Sequence, residues 1–437
     1  MADIRPFQGV HYNPSLTEDL AKVLSPPYDI ITPQIQEELY QRSNVNFVRI
    51  EFGRELPKDK DNDNKYTRAA ATVEKWLEQG VLEVDRAPSI YVHDHHFTHQ
   101  AKPYRRRSIN CLVRLEEWDR KVVRPHEGTL AKPKDDRLNL LWALHANTSP
   151  VMTLYEDQEG KVSSLLDVQT REQHLLNASI ENGESHYLWA LTDAKIIGEI
   201  RDVLADQPLY IADGHHRYES ALAYRRERHS LSDSVSENEP YDYVMMTLVD
   251  FADPGLVILP AHRMVRGIAP SALDGLLAGI ETCFAVKELP LQHSNIQQQV
   301  NDLLAAETNE VKTVLCGIKN ERLLLLTLRD FNLVRTMIPY FHSELYQRLD
   351  VSIVDHVILE DLLGLTHDMA GAFIDYTSDV VDAVSQVLEQ EYQLAFLVNP
   401  VKPEVIKGIA DSGDRMPRKS TYFYPKLPAG LVFYRFD

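Results

Sequence analysis

The stretch that most constrains this chain is residues 208–219, Pro-Leu-Tyr-Ile-Ala-Asp-Gly-His-His-Arg-Tyr-Glu. Residues 209–212 form a short apolar run of strand character, and Asp213-Gly214 breaks it. Residues 218–226 then continue with helical character. A strand that turns sharply into a helix leaves unused backbone N–H groups, and the positive end of the helix dipole, at one point. His215, His216 and Arg217 stand at that point. Donors and cations gathered at a helix start suit an anion, phosphate above all. Strands that alternate with helices along the rest of the chain predict a mixed α/β fold.

At 437 residues the chain has room for two or three domains, and 44% hydrophobic residues are enough to fill their cores. The expected division is a motif-bearing α/β core over residues 1–265, a second, smaller α/β unit over 266–410, and a C-terminal segment, 411–437, returning to the core site. The second unit carries no charged motif and reads as a scaffold or as a dimer module, through which the chain could form a homodimer. A formal net charge of −19 argues against a nucleic-acid partner, since duplex binders present a basic face. Cys111, Cys283 and Cys316 are far apart and form no metal or redox pair. The first residues lack a signal-peptide core, and no run approaches the roughly 18 apolar residues of a membrane span. The expectation is a soluble cytoplasmic protein.

Other stretches supply candidate partners for the central turn. Ser25-Pro26-Pro27-Tyr28-Asp29 is stiffened by its prolines and reads as a rigid loop, or as one presenting Tyr28 and Asp29 to a ligand. A helix follows from Thr32-Pro33 to about Gln41, and residues 47–52 alternate like a strand. Asp59, Asp61 and Asp63 imitate a calcium loop, but Asn64 and Ala70 stand where glycine and glutamate are required, so calcium is rejected. His93 and His95 share one face of a strand over residues 89–99, a spacing suited to metal, although no third ligand is evident. Arg105, Arg106 and Arg107 either offset the acidic surface or assist a phosphate site. His126 and Glu127 lie in a Pro/Gly-framed turn and can supply a base. His262-Arg263 stands at a strand end, where open α/β folds bind ligands. Residues 352–363 read as a helix capped by Ser352, and residues 230–240 as a surface loop. Near the end, Lys419-Ser420-Thr421 is followed by aromatics, Pro425 and Lys426. It is either an edge strand or a ligand segment, because three donors in a row are costly to bury without an anion.

Pro26-Pro27-Tyr28-Asp29, His126-Glu127-x-Thr129, the turn from Ile211 to Tyr218, Leu259-Pro260-Ala261-His262-Arg263 and the Met416-to-Lys426 segment together resemble the bacterial and archaeal family called domain of unknown function 1015. Asp213 to Arg217 alone is similar to the phosphate-binding turn of the ParB/sulfiredoxin superfamily, which includes an ADP-using free-serine kinase. The resemblance implies a ParB/sulfiredoxin-like phosphate-binding core. Through the family's association with serine-biosynthesis neighbours, it also implies serine or phosphoserine as ligand.

The expected function is a phosphotransferase or phosphohydrolase acting on a small hydroxyl metabolite. Its partner would be a small phosphorylated ligand, with a nucleotide or pyrophosphate as donor and Mg2+ as cofactor. Gly214, His215, Arg217, His262, Arg263, Lys419, Ser420, Thr421 and Lys426 would bind phosphate. Glu127, His126, Asp213 and His216 would be catalytic. Asp213 is suited equally to Mg2+ or to capping the helix, and Glu219 is placed to orient His215. Two alternatives stand beside this reading. One is a non-enzymatic regulator that binds a nucleotide or phospho-metabolite; the other is a metal-dependent hydrolase built on His93, His95 and His126.

Overall fold

The computed structural model describes residues 2–17, 19–171, 173–180, 183–231, 238–305, 310–366, 369 and 371–436. The expected loop over residues 230–240 therefore lies largely outside the described residues. The chain divides into two compact units. The first comprises Met1–Pro125, Thr129–Val257 and Pro425–Asp437; the second comprises His126–Gly128 and Ile258–Tyr424. Both are mixed α/β. No helix among the described residues is long and apolar enough to cross a membrane.

The first unit is built on a mixed sheet of nine strands among the described residues. Its path runs Val123–Arg124, Leu209–Asp213, Val151–Tyr155, Tyr243–Asp250, Lys102–Arg114, Ile90–His99, Ser185–Leu191, Leu176–Ser179, with Ile4–Arg5 added against Lys102–Arg114. Period-two alternation explains why the long central strands suit both faces. Ile109, Cys111 and Val113 enter one hydrophobic core together with Val244, Met246 and Leu248. The intervening Leu112, Tyr243 and Met245 enter another. Tyr218, Ala221 and Leu222 of helix His215–Ser230 fill the first core, while Val73 and Trp76 of helix Lys65–Glu78 fill the second. Each Val, Leu, Ile or Met among these contributes about 1.5–3 kcal/mol when buried.

Residues 47–52, expected as a strand, instead contain the short helix Val48–Glu51. Asn46 Oδ1 accepts from Val48 N at 3.0 Å and starts the turn. Glu51, which alternation would place outward, is fully buried. It meets Arg137, Thr148 and Ser149 at 3.3, 2.5 and 2.8 Å.

The second unit has an antiparallel six-stranded sheet in the order Phe284–Pro290, Arg322–Leu328, Lys312–Cys316, Leu394–Leu397, His262–Val265, Ile374–Thr377. Val300 and Leu304 of helix Ile296–Leu304, with Val380 and Val384 of helix Val380–Leu388, pack into its core. The expected helix capped by Ser352 starts earlier, with Leu349 as its cap. After Asp350–Ile353 it widens into a π-helical stretch, Val354–Leu362, in which Leu363 N reaches Ile358 O at 3.0 Å. Ser352 is buried within this helix rather than starting it.

Candidate functional site

The first unit builds its cluster at the strand end. Leu209–Asp213 is followed by Gly214 at φ +92° and then by helix His215–Ser230. Gly214 is the cap and brings no side-chain hydrogen bond. It is needed twice over: L-residues rarely adopt this φ, and a Cβ there would lie 2.8 Å from Arg217 Nε. The guanidinium lies over the turn because Arg217 Nη2 donates to Asp213 Oδ2 at 2.7 Å while Nη1 donates to the Pro150 carbonyl. Arg217 Nε is buried with no hydrogen-bond partner among the described residues.

Asp213 Oδ1 is taken by Lys426 Nζ, which also lies 3.7 Å from Asp29 Oδ2. Burial by itself would raise the Asp213 carboxyl. The Lys426 and Arg217 charges outweigh it and hold the group well below the usual carboxylate range. Asp213 therefore organises two cations and does not cap the helix. With both oxygens in ion pairs it is a poor ligand for Mg2+. Tyr28, from the proline-stiffened loop, lies under the Arg137 guanidinium, 4.1 Å from ring centroid to Cζ, and burial pushes its hydroxyl up to about 12.

His215 is buried at the first helical position. His216 Nε2 accepts from Leu130 N at 2.9 Å, which ties it to the start of helix Ala131–Leu144. Glu219 Oε2 accepts from Thr129 Oγ1 at 2.5 Å and pairs with Lys134 at 3.2 Å.

Arg106 and Arg107 have different environments. Arg107 forms a two-pronged pair with Asp94, both contacts 2.6 Å. Arg106 is 1% exposed and donates to His95 Nδ1 and the Pro425 carbonyl at 3.1 and 2.8 Å. Burial lowers its guanidinium to about 10.

The remaining candidates belong to the second unit. Glu127 Oε1 accepts from Ser420 N, Thr421 N and Thr421 Oγ1 at 3.2, 3.3 and 3.1 Å. The anion expected for the Lys-Ser-Thr donors is thus a carboxylate of the chain itself. His126 is fully buried; its Nε2 lies 3.1 Å from Thr421 Oγ1 and 3.9 Å from Glu127 Oε1. Lys419 adopts φ +56°, and its carbonyl accepts from Arg263 at 3.4 Å. Arg263 is fully buried and held by both oxygens of Asp355, at 2.9 and 3.0 Å. His262 Nδ1 accepts from Val398 N at 3.2 Å. Burial, then the Arg263 charge, pushes His262 down to about 3. The His262-Arg263 pair is internal to its unit, with the arginine charge matched by Asp355. Neither Asp355 nor Asp29 was singled out as an ion-pair partner from sequence; only Asp29 had a signal, its position after the two prolines.

The family described as "Protein of unknown function (DUF1015)" matches residues 4–352. The chain belongs to this family. Comparison with curated proteins returns no match. Among solved structures, it is similar to a conserved hypothetical protein from Pyrococcus furiosus, with 12% identity and TM-score 0.36, covering 75% of this chain and 95% of that one. It is also similar to a free serine kinase in complex with AMP, with 13% identity and TM-score 0.37, covering 74% and 92%. A third is SbnI with C-terminal truncation from Staphylococcus aureus, with 9% identity and TM-score 0.34, covering 74% and 85%. A further structure, of a mutant form of the free serine kinase, is in complex with ADP.

Proposed function

We propose that this DUF1015 protein binds the phosphoryl group of a small metabolite or nucleotide at the turn from Asp213 to Arg217, and transfers or hydrolyses that group at a small hydroxyl substrate. The observation that carries the reading is a helix start with no side-chain cap at Gly214, beside which Asp213 holds Arg217 and Lys426. Phosphoryl transfer depends on positioning and charge neutralisation more than on covalent chemistry. A phosphate here would accept from the N–H groups at the helix start and from Arg217, whose Nε has no other hydrogen-bond partner among the described residues. Lys426 would add a second positive charge. Asp213 holds these cations in register, a positioning role. Mg2+, in this reading, arrives with the phosphates of a nucleotide donor. Serine or phosphoserine is the substrate implied by the motif resemblance.

For Glu127 and His126 the proposed chemistry is that of a general base and its neighbour. It is supported by a carboxylate and an imidazole 3.9 Å apart. One observation favours a non-catalytic binder instead: Glu127 Oε1 already accepts three hydrogen bonds.

The test is turnover of serine with ATP, ADP or pyrophosphate, and of phosphoserine alone, with Mg2+, for the parent protein and Glu127→Gln. Turnover by the parent, with loss in Glu127→Gln while phospho-ligand binding persists, supports the enzyme. Ligand binding with no turnover in any combination supports the binder.

A further inference from the structure

A second polar cluster lies on the first unit's sheet and takes no part in the proposed phosphate site. His186 pairs in register with His95, and Leu188 with His93. Alternation then places His93, His95, His186 and Glu184 on one face. Glu184 Oε2 lies 2.8 Å from His95 Nε2, and His186 Nδ1 lies 3.1 Å from His93 Nε2. One donor atom from each of His95, Glu184 and His186 falls within 4.8 Å of the other two. His95 and His186 are 0% and 1% exposed, whereas the Glu184 side chain keeps 14%, so solvent reaches the cluster from the Glu184 side.

The decisive atom is His186 Nε2. It is buried and has no hydrogen-bond partner among the described residues. Buried polar atoms are almost always matched, so its place calls for a ligand. His93 completes the arrangement on the other side of that ring. With the proton on His186 Nδ1 donated to His93 Nε2, the Nε2 lone pair is free to coordinate, the pattern usual for a metal-bound histidine.

We propose that His95, Glu184 and His186 bind one divalent first-row transition-metal ion of the Zn2+ type, with His93 as the positioning residue for His186. Two imidazoles and one carboxylate form a three-ligand set that zinc accepts, leaving one position for solvent. Arg106 opposes the ion, since its guanidinium donates to His95 Nδ1. The Glu184 carboxylate offsets that charge. Because His95 Nδ1 accepts from Arg106, the ring proton sits on Nε2, toward Glu184. Coordination at Nε2 requires that proton to move to Nδ1, so the Arg106–His95 hydrogen bond opens while Arg106 keeps the Pro425 carbonyl.

The test uses the full chain, stripped with chelator and titrated with Zn2+, and separately with Co2+, by calorimetry. Metal is then quantified after desalting. The parent is expected to retain about one ion per chain. Glu184→Gln and His186→Gln are each expected to weaken binding at least about tenfold. Co2+ should give the absorption bands of a low-coordinate site in the parent alone. Glu184 is partly exposed, so Glu184→Gln decides the matter if His186→Gln fails to fold. The proposal is overturned if the parent retains neither ion, or if Glu184→Gln binds as tightly as the parent.

Discussion

Gly214→Ala tests the geometry of the central turn most sharply when set beside Gly160→Ala. Both glycines have positive φ, +92° and +62°, and both are the caps of helices. They differ in what an added methyl would meet. At Gly160 nothing lies within 4 Å, so only the backbone term of about 1–2 kcal/mol applies. At Gly214 the methyl would sit 2.8–3.0 Å from three guanidinium atoms of Arg217. Relieving that clash moves Arg217 off Asp213, at a further cost of about 1.5–3 kcal/mol for a hydrogen bond between charged groups. Gly214→Ala should therefore be less stable than Gly160→Ala by about 2 kcal/mol, which is roughly 4–8 °C in melting temperature. Thermal unfolding followed by far-UV circular dichroism measures both. Equal losses in the two variants would refute the placement of Arg217 over Gly214.

Three other outcomes are expected. Asp213 is held below the usual carboxylate range in the folded chain, so in acid the unfolded state binds the extra proton. Its contribution is complete above the ordinary carboxylate pKa of about 4 and is lost as pH falls toward its lowered folded value; Asp213→Asn should flatten this limb of a stability-against-pH curve. His262, buried neutral and pushed down to about 3, acts over a different window: its contribution is complete above the ordinary histidine pKa of about 6.5 and falls as pH drops from there toward 3, a slope that His262→Gln should remove in urea titrations of the protein. Glu51→Ala removes the buried carboxylate that Arg137, Thr148 and Ser149 share, leaving Arg137 paired with Asp136, and should cost about 1.5–3 kcal/mol by denaturant unfolding, against little for an exposed pair such as Lys195–Glu199.

The strand-to-helix turn was legible because each of its signals is local. An apolar run, an Asp-Gly break and a helical pattern all lie within residues 208–226. The His93/His95 face was legible for the same reason, since alternation needs no partner. Its companions were not. Glu184 and His186 join it only through the register with strand Ser185–Leu191, which no local pattern encodes. The Lys-Ser-Thr donors were visible and their need for an anion was sound, but the anion is Glu127, 293 residues from Ser420. Residues 47–52 misled because Glu51 occupies a polar slot in an alternating pattern. Tertiary pairing with Arg137 draws it inward, and the local period carries no trace of that. The burial of Arg263 is a similar case: its partner Asp355 lies on a π-helical stretch that periodicity reads as an ordinary helix.

The central claim is that the turn at Asp213–Arg217, with Lys426, receives a phosphoryl group. Calorimetric titration of the parent chain and of Lys426→Met with AMP, ADP, pyrophosphate and phosphoserine, with and without Mg2+, tests it most directly. At least one of these ligands should bind the parent saturably, and the folded Lys426→Met should bind it at least about tenfold more weakly, as loss of a charged contact worth about 1.5–3 kcal/mol requires. No binding by the parent, or equal affinity in Lys426→Met, would contradict it.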